Sequence, residues 1–218
     1  MTELNLNFIQ IPASDFTMGS KRSLDRQAHD DEMPAQVLHM SDYFIMKYPV
    51  TNAQYHLFVQ ATGCRAPLFW QAGQFPADKA DHPVVGVSFL DTLAFCAWAA
   101  QETGLPVRLP TEPEWEKAAR GPQLRIFPWG DDWKQGLCNT SEAKINGTSP
   151  VDQFSPQGDS PYGIADMGGN VQEWSSSLFG PYPYDPADGR EVLVYELQVD
   201  DLLPKIMETG CTSMPESD

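Results

Sequence analysis

The sequence predicts an α+β domain with few helices, short strands and a large share of ordered coil. Nineteen prolines and sixteen glycines among 218 residues indicate a loop-rich fold with short regular elements. Hydrophobic residues make up 41% of the chain and charged residues 20%, which argues against global disorder. Six tryptophans and eleven phenylalanines supply aromatic side chains that can hold such loops around a core. The length suits one large domain.

Short strands are expected in the first fifty residues. Residues 6–19 carry several apolar positions and lead into Gly19, which fits short strands. Residues 20–36 are polar and acidic, which is typical of an exposed loop. Residues 43–46 (Tyr-Phe-Ile-Met) give a further strand signal, and Pro49 closes it.

Three helices are predicted from their starting residues. Each begins at a Ser or Thr that is followed three residues later by Gln, Asp or Glu, which is the arrangement of a capping box. Each is followed by a glycine at which an α-helix can stop. The boxes start at Thr51, Ser88 and Thr111, and the glycines are Gly63, Gly104 and Gly121. The second helix is expected to bury one apolar face. That face consists of Phe89, Leu93, Cys96, Ala97 and Ala100.

Residues 122–186 carry strong turn signals and little hydrophobic periodicity. A segment of this length without regular structure is normally either disordered or functional. Its aromatic side chains argue against disorder. They include Trp129, Trp133, Phe154, Tyr162 and Trp174. We therefore predict an ordered segment that is held together by bound ions.

The formal net charge of −16 argues against a nucleic-acid partner, because an acidic surface repels phosphates. The first residues lack the basic start and the apolar core of a signal peptide. No apolar run approaches the ~20 residues that are needed to span a bilayer. These observations predict a cytoplasmic protein with neither nucleic acid nor membrane as a partner. Nothing in the sequence predicts an oligomeric state.

The four cysteines are widely scattered and include no CxxC pair. They are Cys64, Cys96, Cys138 and Cys211. This spacing does not support a zinc cluster and does not favour a disulfide framework. Cys96 falls on the apolar face of the second predicted helix, so we expect it to be a small buried hydrophobic residue.

Residues 162–174 (Tyr-Gly-Ile-Ala-Asp-Met-Gly-Gly-Asn-Val-Gln-Glu-Trp) are the most informative stretch for function. They place two carboxylates, Asp166 and Glu173, on either side of a turn that contains Gly168 and Gly169. Calcium takes six to eight oxygen ligands, and one winding segment can supply both carboxylate and carbonyl oxygens. A polar turn before a buried Trp174 is the simpler alternative.

Seven motifs in this order resemble the sulfatase-modifying-factor, or formylglycine-generating-enzyme, family. They lie at residues 16–19, 32–34, 48–52, 81–88, 108–121, 128–131 and 169–174. The longest, at 108–121, reads Arg-Leu-Pro-Thr-Glu-Pro-Glu-Trp-Glu-Lys-Ala-Ala-Arg-Gly. No single motif is decisive, but seven in the right order are highly specific. The resemblance covers roughly residues 8–185 and implies a fold similar to that of C-type lectins.

The resemblance also implies two structural calcium sites. The first is implied at the side chains of Asp166 and Glu173 and the carbonyls of Gly169 and Val171. The second is implied at Asn139, the carbonyl of Thr140 and Glu142, with further ligands in residues 144–147. Calcium at these positions is consistent with an irregular backbone. Carbonyl groups that form no hydrogen bonds within a helix or sheet need another partner, and calcium can serve as one.

In catalytically competent members of this family, two closely spaced cysteines near the C-terminus hold copper. This pairing drives the oxygen-dependent oxidation of a peptide cysteine to formylglycine, and soft thiolates suit Cu(I). The last part of this chain contains only Cys211. Copper is therefore not expected in this chain, and its catalytic competence is doubtful. If the chain is active, the expected substrate is a protein or peptide cysteine or a small thiol.

After residue 190 the sequence departs from the family pattern, which normally continues with Arg-Gly-Gly-Ser-Trp and Gly-Phe-Arg motifs. We therefore expect a family domain at 1–190, incomplete at its C-terminal end, and a divergent acidic tail at 191–218. The apolar residues of the tail allow a strand or a short helix, and an unrelated disordered end is the alternative. The alternative function is a non-catalytic, calcium-stabilised, lectin-like ligand-binding module.

Overall fold

The computed structural model of the protein describes residues 4–191. This part of the chain forms an α+β domain with short elements and much coil, which confirms the expected fold class. The strands are β1 (Phe8–Ile11), β2 (Ser14–Met18), β3 (Gln36–Met40) and β4 (Tyr43–Met46). The α-helices are α1 (Asn52–Thr62), α2 (Phe89–Thr103) and α3 (Glu112–Arg120). Single 3-10 turns lie at Asp30–Glu32 and Ser141–Ala143.

The strands form two small antiparallel sheets. β1 pairs with β4, with Phe8 opposite Met46, and β2 pairs with β3, with Ser14 opposite Met40. Strands within 6–19 and at 43–46 were predicted, but β3 was not. Partly buried and exposed positions alternate along β3, but the exposed Val37 is apolar and the partly buried Gln36 is polar, so the sequence shows no matching alternation of apolar and polar residues.

All three helices begin and end where the sequence predicts. The side-chain oxygens of Thr51, Ser88 and Thr111 each accept a hydrogen bond from the backbone N–H three residues later, and the reciprocal bond is present in each case. α1 and α2 end at glycines in the left-handed conformation. Caps depend on a few neighbouring residues, which explains why the sequence locates them.

The buried surface of α2 is wider than one helix face. Every residue from Ala94 to Ala99 is buried, whereas Phe89, Leu93 and Ala100 are only partly buried. Of the five residues predicted for the apolar face, Cys96 and Ala97 are fully buried. The buried surface also includes residues that were not predicted, namely Ala94, Phe95, Trp98 and Ala99. The reason is that aromatic residues of α1 and a coil segment pack around this helix: Tyr55 and Phe58 contact Phe95.

Residues 122–186 contain no α-helix or strand, and the 3-10 turn Ser141–Ala143 lies within them. Backbone hydrogen bonds to distant segments fix this coil. Ala165 N donates to Lys47 O (2.9 Å), and Ser176 N donates to Pro110 O (2.9 Å). The predicted ordered coil is confirmed, while its dependence on ions stays a prediction.

The cysteines of the described residues have different states. Cys96 and Cys138 are free and buried, so the expectation for Cys96 is confirmed. Burial raises the pKa of Cys96 to about 12, although Arg108 opposes this shift. Cys64 is disulfide-bonded, which the scattered spacing did not predict.

Among residues 4–191, no helix is long and apolar enough to cross a membrane. The expected tail, including Cys211, lies outside the described residues apart from Glu191. The expected domain boundary at residue 190 therefore stays a prediction.

Candidate calcium site and acidic cleft

The turn at residues 166–170 is wound by two left-handed residues. Asp166 has φ +60° and Asn170 has φ +71°, and Gly169 N donates to Asp166 O (3.1 Å). Asp and Asn are the non-glycine residues that adopt this conformation most readily. The winding turns the Asp166 side chain inward, and the residue is buried.

Gly168 and Gly169 are required because other parts of the chain approach them closely. A Cβ on Gly168 would lie 2.9 Å from the Trp129 ring, and one on Gly169 would lie 2.6 Å from Asn139 O. Neither glycine has a positive φ, so space rather than conformation dictates these residues. The close approach packs the turn against the segment that carries the second predicted site.

All four residues predicted for the first calcium site line one cleft of about 920 Å³. They are Asp166, Gly169, Val171 and Glu173. The cleft is also lined by Glu112 and Glu116 of α3, and by Tyr182. The capping box at Thr111 involves only Glu114 among the acids of α3, and no local sequence pattern connects Glu112 and Glu116 with this cleft.

Burial raises the pKa of Asp166 to about 6. Asn170 Nδ2 donates to Asp166 Oδ2 (2.9 Å) and opposes the shift, while the charges of Asp159 and Asp152 add to it. A carboxylate in this position is desolvated and surrounded by negative charge. Binding of a cation would relieve both effects.

Glu173 stands at the border of the cleft, where the residue keeps exposed surface although protein atoms crowd its carboxyl group. Burial of this group raises the pKa of Glu173 to about 7. A long hydrogen bond from Trp115 Nε1 (3.4 Å) opposes the shift, and the charge of Asp166 adds to it. Within residues 4–191, neither Asp166 nor Glu173 forms a salt bridge.

The second predicted set, Asn139, Thr140 and Glu142, lies outside the cleft. Asn139 Nδ2 donates to Gly147 O (2.8 Å), which leaves its amide oxygen for another partner. Thr140 Oγ1 donates to Glu142 Oε2 (2.7 Å), and this bond holds the pKa of the exposed Glu142 carboxyl below its ordinary value. Thr140 O already accepts from Ala143 N (3.0 Å).

Asn170 connects the two predicted sites and was missed by sequence analysis. Its Nδ2 donates to Asp166 Oδ2, and its backbone N–H donates to Asn139 O (2.8 Å). Its Oδ1 accepts from Ser149 N (2.9 Å). An Asn directly after two glycines is a signal for a left-handed turn residue, but two of its three partners, Asn139 and Ser149, are distant in sequence.

The acids of α3 form a hydrogen-bond network in the same cleft. Tyr182 OH donates to Glu112 Oε1 (3.1 Å) and Glu116 Oε2 (3.4 Å). Arg120 Nη1 pairs with Glu116 Oε1 (2.6 Å), and Gly19 N also donates to this oxygen (2.8 Å). Burial raises the pKa of both Glu112 and Glu116 despite these partners.

No group of three or more His, Cys, Asp or Glu side chains within residues 4–191 is arranged to hold a metal ion. A cation near Asp166 and Glu173 would therefore need carbonyl, amide or water oxygens as further ligands. Calcium accepts such mixed oxygen ligands, whereas zinc sites are built mainly from side chains. The donors present fit the predicted calcium site better than any transition-metal site.

Comparison with known proteins identifies the family. The sequence model described as the sulfatase-modifying factor enzyme 1-like domain matches residues 2–204. The chain belongs to this family. The formylglycine-generating enzyme of Mus musculus is 32% identical, and the match covers 77% of this chain and 57% of that protein. The chain therefore spans just over half the length of this relative.

Members of the sulfatase-modifying-factor family with similar sequences differ in activity. The protein of Bos taurus named inactive C-alpha-formylglycine-generating enzyme 2 is 29% identical, and the match covers 80% of this chain and 71% of that protein. Similarity to the active and the inactive relative is thus comparable. Family membership alone does not decide whether this chain catalyses a reaction.

A solved structure shows the same fold. PvdO from Pseudomonas aeruginosa superimposes with a TM-score of 0.67 at 24% sequence identity, covering 79% of this chain and 71% of that one. This likeness shows that the two chains share a fold.

Proposed function

We propose that this chain is a calcium-stabilised ligand-binding domain of the sulfatase-modifying-factor family that does not carry out copper-dependent oxidation on its own. It keeps the scaffold related to oxidases that convert a peptide cysteine to formylglycine. The competing function is that oxidation itself, acting on a peptide cysteine or a small thiol. The identity to the mouse enzyme favours this second candidate.

The state of the cysteines carries the proposal. Cu(I) requires accessible thiolates, and two must lie close together to form a two-thiolate site. Cys96 and Cys138 are buried, and burial raises the pKa of each thiol. Cys64 is disulfide-bonded. These three cysteines therefore offer no thiolate pair, and the sequence contains only one other cysteine.

Calcium is supported by the cleft geometry. Asp166 and Glu173 border the same cleft, and the charge of Asp166 raises the pKa of Glu173, as expected for a carboxylate pair that a cation would stabilise. The carbonyls of Gly169 and Val171 belong to the same turn. In the bound state these four residues would hold the ion, and the ion would fix the turn against residues 138–139.

The acidic cleft is the proposed place for the ligand. Its acids and aromatic side chains favour a cationic or neutral polar compound over an anion. The aromatic side chains are Trp115, Trp174 and Tyr182. A cytoplasmic location and the absence of nucleic-acid and membrane partners remain part of the proposal, and they rest on the sequence alone.

Thermal unfolding with and without calcium tests the ion. Calcium at 100 times its Kd should raise the melting temperature by about 5–10 °C, because a ligand at that excess stabilises the folded state by about 2.7 kcal/mol. Asp166→Asn and Glu173→Gln should remove most of this shift. Asp132→Asn, which removes an exposed acid from the same coil, is the matched control and should keep it.

Copper chemistry is tested separately. The chain is titrated with Cu(I) without oxygen, and oxygen uptake is then followed with a cysteine-containing peptide. We expect neither stoichiometric tight binding nor oxygen uptake. Stoichiometric Cu(I) binding with oxygen uptake would establish the oxidase and refute the binding-domain function, whatever the result with calcium.

A further inference from the structure

The side-chain amide of Asn170 is fully used in hydrogen bonds. Its Nδ2 donates to Asp166 Oδ2 (2.9 Å) and to Ser149 O (3.1 Å). Its Oδ1 accepts from Ser149 N (2.9 Å) and from Asn139 Nδ2 (3.3 Å). An amide offers two donor hydrogens and two acceptor lone pairs, so all four positions are occupied. Three residues from separate parts of the coil therefore fix the orientation of this side chain.

The backbone of Asn170 holds the same neighbouring segment at a second point. Its N–H donates to Asn139 O (2.8 Å), an oxygen that a Cβ on Gly169 would approach to 2.6 Å. The left-handed conformation of Asn170 (φ +71°) is one that Asn adopts readily. One residue of the turn thus binds residue 139 through its backbone and residue 149 through its side chain.

Residues 139–149 form a loop whose two ends meet at Asn170. Asn139 Nδ2 also donates to Gly147 O (2.8 Å) and lies 3.3 Å from Ser149 Oγ, which draws the ends together. The 3-10 turn Ser141–Ala143 is the regular structure within this loop. A segment with so little regular structure depends on its attachments for order, and Asn170 supplies several of them.

The bond to Asp166 orients a carboxylate of the proposed calcium site. Asp166 is buried, and within residues 4–191 Asn170 is the side chain that hydrogen-bonds its carboxylate. The bond occupies Oδ2 and limits rotation of the carboxylate plane. Residues that hold a metal ligand in its binding orientation typically contribute 10- to 100-fold to metal affinity.

We propose that Asn170 is the positioning residue of the calcium site and couples occupancy of this site to the order of the loop 139–149. The inference rests on the proposed calcium site. In the bound state the carboxylate of Asp166 and the amide of Asn170 are held together, and the amide holds both ends of the loop. Opening of the loop breaks these bonds and frees the carboxylate, so bound calcium opposes opening.

Calcium affinity of Asn170→Gly tests the positioning role. Glycine adopts φ +71° without strain, so the substitution removes the side chain and leaves the backbone unstrained. The Kd for calcium should rise about 10- to 100-fold. Ser149→Ala is the matched control, because Ser149 bonds to Asn170 through backbone atoms alone. This control removes a buried hydroxyl from the same loop and should change the Kd by less than about threefold.

Labelling of Cys138 with N-ethylmaleimide measures the order of the loop in the full-length protein. Cys138 directly precedes the loop and is free and buried, so it reacts when this segment opens. Calcium at ten times its Kd should slow labelling of the unsubstituted protein about tenfold. Cys96 in α2 is also free and buried and should change less. In Asn170→Gly, calcium at ten times the Kd of that variant should no longer slow labelling of Cys138.

The outcomes separate the coupling from the calcium site itself. If the unsubstituted protein binds no calcium, the proposed site and this inference fall together. If it binds calcium but Asn170→Gly has the same Kd, the site stands and the positioning role is refuted. Labelling of Cys138 that calcium does not slow in the unsubstituted protein refutes the coupling, whatever the stability of the variants.

Discussion

At the scale of single residues, two acids on the first turn of α3 have opposite pKa shifts. Burial opposes ionisation of Glu114, but two bonds from Arg108 (2.6 and 2.7 Å) and one from Thr111 N (2.8 Å) hold its pKa below the ordinary value. Burial raises the pKa of Glu112, and the bond from Tyr182 opposes this only in part. The two residues are therefore a matched pair for a charge-removal experiment.

Glu114→Gln should destabilise the protein by about 1–3 kcal/mol at pH 7, because it removes charge-assisted bonds at a buried carboxylate whose Arg108 partner is half exposed. A lowered folded-state pKa stabilises the protein above the unfolded-state value of about 4.3 and stops doing so as pH falls through the folded-state pKa. The loss should therefore shrink below about pH 4 in urea unfolding experiments.

Glu112→Gln is the control variant, for which we expect the opposite effect of charge removal on stability. Because the pKa of Glu112 is raised in the folded state, its ionisation lowers the free energy of unfolding as pH rises above the unfolded-state pKa. Removal of this charge should therefore remove that destabilisation at pH 7. Its effect should be neutral or stabilising relative to the unsubstituted protein. If both variants lose the same stability with the same pH profile, the assignment of the two environments is wrong.

The candidate site could be predicted only where its residues are neighbours in sequence. Asp166 and Glu173 lie seven positions apart along the chain, and both border the cleft. Asn170 and Trp115 were not predicted as site residues, because their roles depend on hydrogen bonds between segments, such as the bond from Trp115 Nε1 to Glu173. No local pattern encodes a contact across 58 residues.

At the scale of elements, the helices were predictable and most of the remaining fold was not. Each helix start depends on residues at most three apart, so Ser88 and Asp91 could be identified directly. Strand pairing depends on distant segments, which is why neither β3 nor the pairing of β1 with β4 followed from the sequence. The coil topology came from family resemblance.

The cap of α2 gives a prediction at this scale. Ser88 Oγ accepts from Asp91 N (3.3 Å), and Asp91 Oδ2 accepts from Ser88 N (2.8 Å). Ser88→Ala should cost about 1 kcal/mol of unfolding free energy because one N–H at the helix start loses its partner. Ser88→Thr keeps the oxygen and should cost less. Equal losses in urea unfolding would show that the cap does not contribute.

At the scale of the whole molecule, the coil-rich second half is bound to the first half at many separate points. Val151 N donates to Asp81 O (3.1 Å), Ala165 N to Lys47 O, and Ser176 N to Pro110 O. Each bond joins segments that are far apart along the chain. The proposed ion would add a further connection where Asp166, the turn after it and Glu173 meet.

Amide hydrogen exchange with calcium or a chelator measures this connection directly. With calcium at about ten times its Kd, exchange in residues 160–174 should slow by about tenfold, because opening of the turn releases the ion. Helix α1 (Asn52–Thr62) should change less and serves as the internal control. Asp166→Asn should abolish the effect. Identical exchange in residues 160–174 with calcium and with chelator would contradict an ion-stabilised second half.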